Sequence, residues 1–399
     1  MANNPGKKQT VGVVFGSRSV EHDVSIVTAQ QVIRALNPAK YEVVPIYITR
    51  DGRWLTGAPL TEIRTFQTEN VAELMGVRET IISPSVQHHG IITPPVAGYM
   101  ARNTLRRMDV IFPVIHGTHG EDGTLQGVLE LADVPYVGCG VLASAVANDK
   151  ITAKAVLREY GIPVLEYAVI RREDWGRERD SLLDTIEARI AYPWFVKPAT
   201  LGSSIGIGRP ADRAAAIAAI EVAISFDRRI LVEPALEGAI EINCAVLGNS
   251  DPRPSVLEQP ISFQEFLTYD DKYLRGGAAK GMKGAERKIP APLPDALTET
   301  IQRLSVEAFR AIDGRGTARI DFLVREGKPY LNEINTMPGS LAFYLWQYEG
   351  LAPSMLVDEL IRLAHEAHAE KRRTLYDYRS GLVAQAATAG LKGVKGLKK

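Results

Sequence analysis

Apolar residues recur along the chain with two periods, and the places where the period changes mark its elements. TVGVVFG (10–16) is a continuous β-branched run ending in glycine, the pattern of a parallel strand buried on both faces. SIVTAQQVIRAL (25–36) spaces its apolar residues as a helix does, and YEVVPIYIT (41–49) is strand-like again, so the chain opens with a βαβ unit. DVIFPVIHG (109–117) and VPYVG (134–138) read as further strands around a short helix, LQGVLELA (125–132). Residues 52–104, dotted with Pro and Gly, have no assignable period. A first α/β domain is therefore expected over 10–140, behind a disordered leader at 1–9.

Beyond 140 the pattern becomes mixed. ITAKAVLREYG (151–161) is a helix whose Gly161 suits a left-handed C-cap. YPWFVKP (192–198) is a strand, ATLGSSIGIG (199–208) a glycine-rich loop and RAAAIAAIEVAIS (213–225) a helix. RRILVEPAL (228–236) and IEINCAVLG (240–248) are strands, LTETIQRLSVEAFRAI (297–312) and MLVDELIRLAHEAHAEKRR (355–373) helices. This divides the remainder into a central unit, 141–232, and a C-terminal unit, 233–375, with an irregular loop at 259–290. The Gly/Lys-rich tail, 376–399, is expected to be flexible.

Composition narrows the function classes. Lys+Arg and Asp+Glu are both 47, so no global positive field is present to hold nucleic acid or an anionic membrane. Any phosphate recognition must be local. Two cysteines without a C-x-x-C, no signal-peptide apolar region and no run approaching a membrane span place the chain in the cytoplasm as an expectation.

The densest candidate chemistry lies in ARIDFLV-REGKP-YLNEIN (318–335). If the hairpin turns through a three-residue loop, Glu326-Gly327-Lys328, Asp321 faces Glu333 and Arg319 faces Asn335, all on one side. Opposed carboxylates about 5 Å apart want a counter-ion. Oxygen donors without His or Cys suit Mg²⁺ rather than Zn²⁺, and Arg319 could hold a phosphate or an oxyanion. A solvated hairpin face with Arg319 neutralising the acids is the alternative. In FVKPATLGSSIGIG, Lys197 precedes a loop with Ser203 and Ser204 whose backbone N–H groups can cradle an anion. Neither a Walker A loop nor G-x-G-x-x-G is present, which disfavours a nicotinamide-binding βαβ protein. The loops FGSRSVEHDVS and IHGTHGEDGTLQG follow parallel strands at the edge where such sheets bind ligands, although helix capping would explain their polar residues too.

Taken together, GVVFGSRSVEHDVS, HGTHGEDGTLQG, VPYVGCGVLASAVANDK, FVKPATLGSSIGIG, YDDKY, IPAPLP, RIDFLV and NEINTMPG resemble the D-alanine–D-alanine ligase family, in family order over about residues 11–340. The resemblance implies an ATP-grasp fold, α/β and α+β, preceded by an N-terminal parallel-sheet domain. It implies ATP and Mg²⁺ (or Mn²⁺) as cofactors, small-molecule substrates and, by analogy, a homodimer. It also implies two steps: an acylphosphate forms on the first D-alanine, and the amine of the second attacks it. On that resemblance Asp321, Glu333 and Asn335 are metal ligands, while Arg319 and the Gly339 N–H stabilise the oxyanion. Lys150, Lys197, Ser203, Ser204 and Lys272 serve ATP, with Glu241 on the ribose and Glu233 on the adenine-facing linker. Glu21 and His116 take the first substrate, and Ser203 with Tyr273 ties the mobile loop to Glu21.

Two departures stand out. EPALEGAIEIN has one extra residue between Gly238 and Glu241. After Gly339, SLAFYLWQYEG is about four residues shorter than the family segment that receives the acceptor carboxylate, which leaves Ser340, with Tyr344 as a substitute. The expected function is ATP-dependent joining of two D-alanines for peptidoglycan precursors. The alternatives are a ligase with another acceptor (D-serine, D-lactate or another amine) and a catalytically silent nucleotide-binding protein.

Overall fold

The computed structural model describes residues 7–68, 70–96, 102–203, 205–261 and 286–389. The opening βαβ unit forms as its pattern requires. Strand Gln9–Gly16 lies between Tyr41–Ile48 and Val110–Pro113, parallel to both. Short antiparallel strands, Trp54–Thr56 and Arg78–Glu79, extend the sheet beyond Tyr41–Ile48. Side chains alternate across this sheet. Val11, Val13 and Phe15 pack on Ile26, Ala29 and Val32 of the helix His22–Ala35, whereas Val14 joins Ile46, Leu125 and Leu129 on the other face. Burial on both faces is why the strand carries no polar position between Val11 and Phe15.

Two antiparallel sheets follow. Trp194–Pro198, Arg229–Pro234 and Ala168–Arg171 form the first, covered by helices Arg172–Glu187 and Arg213–Phe226. The second has five strands in the order Glu286–Lys288, Arg253–Ile261, Ile240–Gly248, Gly316–Arg325, Lys328–Asn335. Helices Val141–Asn148, Lys150–Glu159 and Asp295–Ala311 bury its apolar face around Ile242, Cys244, Ile320 and Phe322. Helices Phe343–Tyr348 and Pro353–Lys371 then pack against the first sheet, so Trp346 and Leu360 share one core with Val13 and Phe15.

Several expectations need correction. The first strand starts at Gln9, inside the expected leader, and Leu382–Ala389 is a helix inside the expected flexible tail. VPYVG contributes only an isolated bridge, Tyr136 with Ile111. The strands Ala168–Arg171 and Arg253–Ile261 and the helices Val141–Asn148 and Arg172–Glu187 were not legible as elements. Within 52–104 lie short 3₁₀ turns and a small sheet, Ile81–Ile82, Gly90–Thr93 and Thr104–Arg107. Most of the expected loop, 262–285, lies outside the described residues, and its flanks are paired strand.

The hairpin places Asp321 opposite Glu333 and Arg319 opposite Asn335, as expected, but by another route. Its turn has two residues, Glu326 (φ 51°) and Gly327 (φ 73°), with Arg325 paired to Lys328. Positive φ at both central positions is the I′ geometry that matches strand twist. A β-bulge between Asp321 and Phe322 then shifts the register by one, because Phe322 pairs with Leu331 while Asp321 pairs with Glu333. The bulged residue, Asn332, becomes a site residue.

Candidate active site

The loops after the first-sheet strands, the glycine-rich loop and the hairpin converge on a cleft of about 540 Å³. A second compartment of about 740 Å³ adjoins it, with Lys150, Ser203, Glu241 and Glu333 on the shared wall.

On the hairpin, Arg319 donates from Nε and Nη2 to the two Asp321 oxygens, each at 2.7 Å, and Asn335 Nδ2 donates to Asp321 Oδ2 at 2.9 Å. Asp321 is 2% exposed. Burial would lower the Arg319 pKa, but the Asp321 carboxylate overrides it and holds the guanidinium charged. The opposed acids thus have an internal counter-ion two residues away on the same strand. The groups on this face that could ligate a cation are all oxygen donors: Glu333, Asp321 and the Asn335 amide oxygen, the Asn335 Nδ2 being used on Asp321. Among the described residues no group of three His, Cys, Asp or Glu gathers as a metal site. The set fits a hard divalent ion that takes its remaining ligands from phosphates and water.

At the opposite wall, Ser203 donates to Glu21, joining the glycine-rich loop to the first-strand loop. Gly117 has φ 69°, and a Cβ there would lie 2.5 Å from Glu21 Oε2, so only glycine admits this approach. His116 faces the cleft, yet both its ring nitrogens are engaged within the protein. Nδ1 donates to Met337 O at 2.9 Å, and Nε2 accepts from Thr28 Oγ1 at 2.9 Å. Burial lowers its pKa, keeping the ring neutral.

Glu121 was not singled out from the sequence. Its carboxylate accepts the Gly117 N–H at 2.9 Å and the Met337 N–H at 2.8 Å, linking segments 216 residues apart. Burial pushes its pKa up to about 8, with the Glu21 charge adding to the effect. Met337 is therefore clamped at both its N–H and its C=O, two residues before Gly339.

At the other end, Lys150 Nζ donates to Leu201 O at 2.6 Å. Lys197 Nζ donates to Glu233 Oε2 at 2.8 Å and to the bulged Asn332 Oδ1 at 3.1 Å. Glu233 lines neither compartment. It is fully buried and also pairs, at 2.6 Å, with Lys154, a helix lysine that sequence reasoning passed over. Burial alone would raise the Glu233 pKa, but Lys154 and Lys197 override it and hold it at about 2. The segment Ala235–Gly238 lines the second compartment instead, with Glu241 on the wall shared by both.

After Gly339, the residues Ser340, Leu341 and Ala342 have φ of 50°, 49° and 50°, a left-handed turn of non-glycine residues. The apolar run that follows is core: Leu341, Leu345 and Trp346 are fully buried. Only Gly339, Ser340 and Tyr344 of residues 339–347 face the cleft. Ser204, Lys272 and Tyr273 lie outside the described residues.

The chain is similar to known proteins in sequence and in fold. The family model described as "D-ala D-ala ligase N-terminus" matches residues 10–139, and "D-ala D-ala ligase C-terminus" matches 156–362. A D-alanine--D-alanine ligase of Bacillus cytotoxicus is 42% identical over 375 residues, 92% of this chain and 99% of the relative. Another, from Geobacillus kaustophilus, is 39% identical over 381 residues, 93% and 99%. Among solved structures, the VanG D-Ala:D-Ser ligase from Enterococcus faecalis matches with TM-score 0.76 at 30% identity, covering 90% of this chain and 100% of that one. The D-alanine-D-alanine ligase from Coxiella burnetii matches with TM-score 0.73 at 29% identity, covering 96% and 98%. With both halves matched in order, this chain belongs to the D-alanine–D-alanine ligase family of ATP-dependent ligases.

Proposed function

We propose that the chain joins two D-alanine molecules into D-alanyl-D-alanine in the cytoplasm, forming ADP and phosphate, as a step of peptidoglycan precursor synthesis. The observation that carries this reading is a single cleft with a carboxylate at one wall and a buried guanidinium at the other. Glu21, held by Ser203, pairs with the donor's ammonium group. That leaves the donor carboxylate to point toward the hairpin, where ATP's terminal phosphate is attacked.

The second compartment takes the nucleotide, with Lys150 and Lys197 at the phosphates, Glu241 at the ribose and Ala235–Gly238 along the base. Asp321, Glu333 and Asn335 would hold Mg²⁺, which neutralises phosphate charge when bound. Arg319 and the Gly339 N–H face the carbonyl as the acceptor amine adds to it. A fixed guanidinium and a fixed amide need no reorganisation as negative charge develops on that oxygen. The phosphate then leaves with the electron pair of its C–O bond and takes up the proton that the acceptor amine sheds, while the C–N bond is retained. The three units, 10–140, 141–232 and 233–375, would supply the donor wall, the nucleotide roof and the hairpin floor.

A second acceptor is the other reading. The left-handed turn at Ser340–Ala342 favours it, because Ser340 lies in the cleft wall where the acceptor would dock. Both readings are tested by ADP release with D-alanine alone and with D-alanine plus D-serine or D-lactate, the products weighed by mass spectrometry. D-alanyl-D-alanine as the main product supports the first reading. A mixed product with D-alanine as donor supports the second, and no D-alanine-dependent ADP release refutes both.

A further inference from the structure

The acceptor must present a neutral amine to the acylphosphate, so its α-carboxylate is the group by which the cleft can hold it. That carboxylate enters a space walled by Glu21, Glu258 and Glu333, which repel it. Among the described residues the cationic side chains lining this cleft are Lys150, Arg287 and Arg319. Lys150 sits on the wall shared with the nucleotide compartment, its Nζ on Leu201 O. Arg319 spends its planar fork on both oxygens of Asp321.

Arg287 is built differently. Its Nη1 lies 3.1 Å from Glu258 Oε1, and its guanidinium stacks 4.1 Å above the Tyr344 ring. Glu258, only 1% exposed, also accepts from Tyr344 Oη at 2.7 Å and from Asn243 Nδ2 at 3.3 Å. The guanidinium is thus braced on one edge and one face, while its side chain remains 29% exposed in the cleft that Ser340 also lines. A planar fork held this way matches the two oxygens of a carboxylate, which a flexible ammonium does not.

We propose that Arg287, oriented by Glu258 and Tyr344, binds the α-carboxylate of the acceptor amino acid. This inference rests on the ligase reading and gives that reading an acceptor class: a small amino acid with a free carboxylate.

The test is carried out on the full-length protein with Arg287→Ala and Arg287→Lys, using D-alanine and D-alaninamide as competing acceptors. Acylphosphate formation is followed independently by D-alanine-dependent positional isotope exchange in ATP. In R287A the acceptor KM should rise roughly 10- to 100-fold, the size of one charge-assisted hydrogen bond, while the donor KM does not follow it. The wild-type preference for D-alanine over its amide should collapse in R287A and recover only partly in R287K. A merely structural Arg287 would lower thermal stability and leave that preference intact, which would overturn the proposal. Isotope exchange with an unchanged preference refutes Arg287 alone. No exchange in the wild type refutes the ligase reading, and this inference with it.

Discussion

Removing the charge of Glu233 is the sharpest test of how the proposed nucleotide end is held. The carboxylate is fully buried between Lys154, 2.6 Å from Oε1, and Lys197, 2.8 Å from Oε2. Glu233→Gln leaves two ammonium groups facing a neutral amide, one of them on a lysine 1% exposed. Breaking a buried ion pair from one side costs about 3–5 kcal/mol. The depression from 4.5 to about 2 gives an independent figure of ~3 kcal/mol at ~1.36 kcal/mol per pH unit. Lys154→Met should cost only about 1 kcal/mol, since Glu233 keeps Lys197 and a buried ammonium no longer has to be desolvated. The assay is urea unfolding of both variants, paired with the ATP KM from D-alanine-dependent ADP release. E233Q should raise that KM because Lys197 loses its charged partner and keeps only Asn332 Oδ1, and K154M should not. The sign with pH follows from a depressed carboxylate: the contribution is fully present above about 4.5 and lost as pH falls toward 2. If E233Q proves as stable as K154M, the buried trio is not what fixes Lys197.

Other perturbations follow from the same geometry. Glu121 binds its proton more tightly folded than unfolded, so its contribution to stability is complete below about 4.5 and declines as pH rises to about 8. Glu121→Gln should flatten that decline, by at most ~5 kcal/mol at ~1.36 kcal/mol per pH unit, measured as urea midpoints across the window. Asp321→Asn strips the fork from Arg319 and should lower kcat by roughly 10²–10³-fold, with a folded spectrum showing that the loss is catalytic. Ser203→Ala frees Glu21 and should raise the donor KM about 10-fold, the worth of one hydrogen bond to a charged group, in steady-state ADP release.

The sequence made the hairpin's pairing legible, yet through two differences that cancel at Asp321. Alternation along 316–325 fixes which side chains share a face, but a loop of two or three residues reads alike around Glu326-Gly327. A bulge leaves no periodic trace, so Asn332 could not be placed against Lys197 beforehand. Lys154 reads as an ordinary helix lysine until the fold sets Glu233 above it. Glu121 resembles a capping acid because the partner that defines it, the Met337 N–H, lies 216 residues away. The helix Arg172–Glu187 escaped for a local reason: its first turns are charged, and only Trp175, Leu183 and Ile186 are buried. That helix apart, the signals that failed were those whose meaning depends on distant segments.

The apolar run after Gly339 belongs to the same logic. Three left-handed non-glycine residues cost roughly 3–6 kcal/mol together, at ~1–2 kcal/mol each. Leu341, Phe343, Leu345 and Trp346 are all buried, and burial of such side chains contributes about 1.5–3 kcal/mol apiece. The burial term exceeds the strain, so the run can hold a turn that its own backbone preferences oppose. A chain of bonds ties that turn to the loop at His116: Ser340 N–H to Thr28 Oγ1 at 3.4 Å, Thr28 to His116, and His116 to Met337 O. Glu121 closes the circuit on the Met337 N–H. Gly339 lies between the two anchored peptides, Met337 and Ser340, which fixes where its amide can point. The hydrophobic segment thus acts on the proposed chemistry through position: it secures from behind the Gly339 amide, the proposed oxyanion donor, and of its side chains only Ser340 and Tyr344 line the cleft.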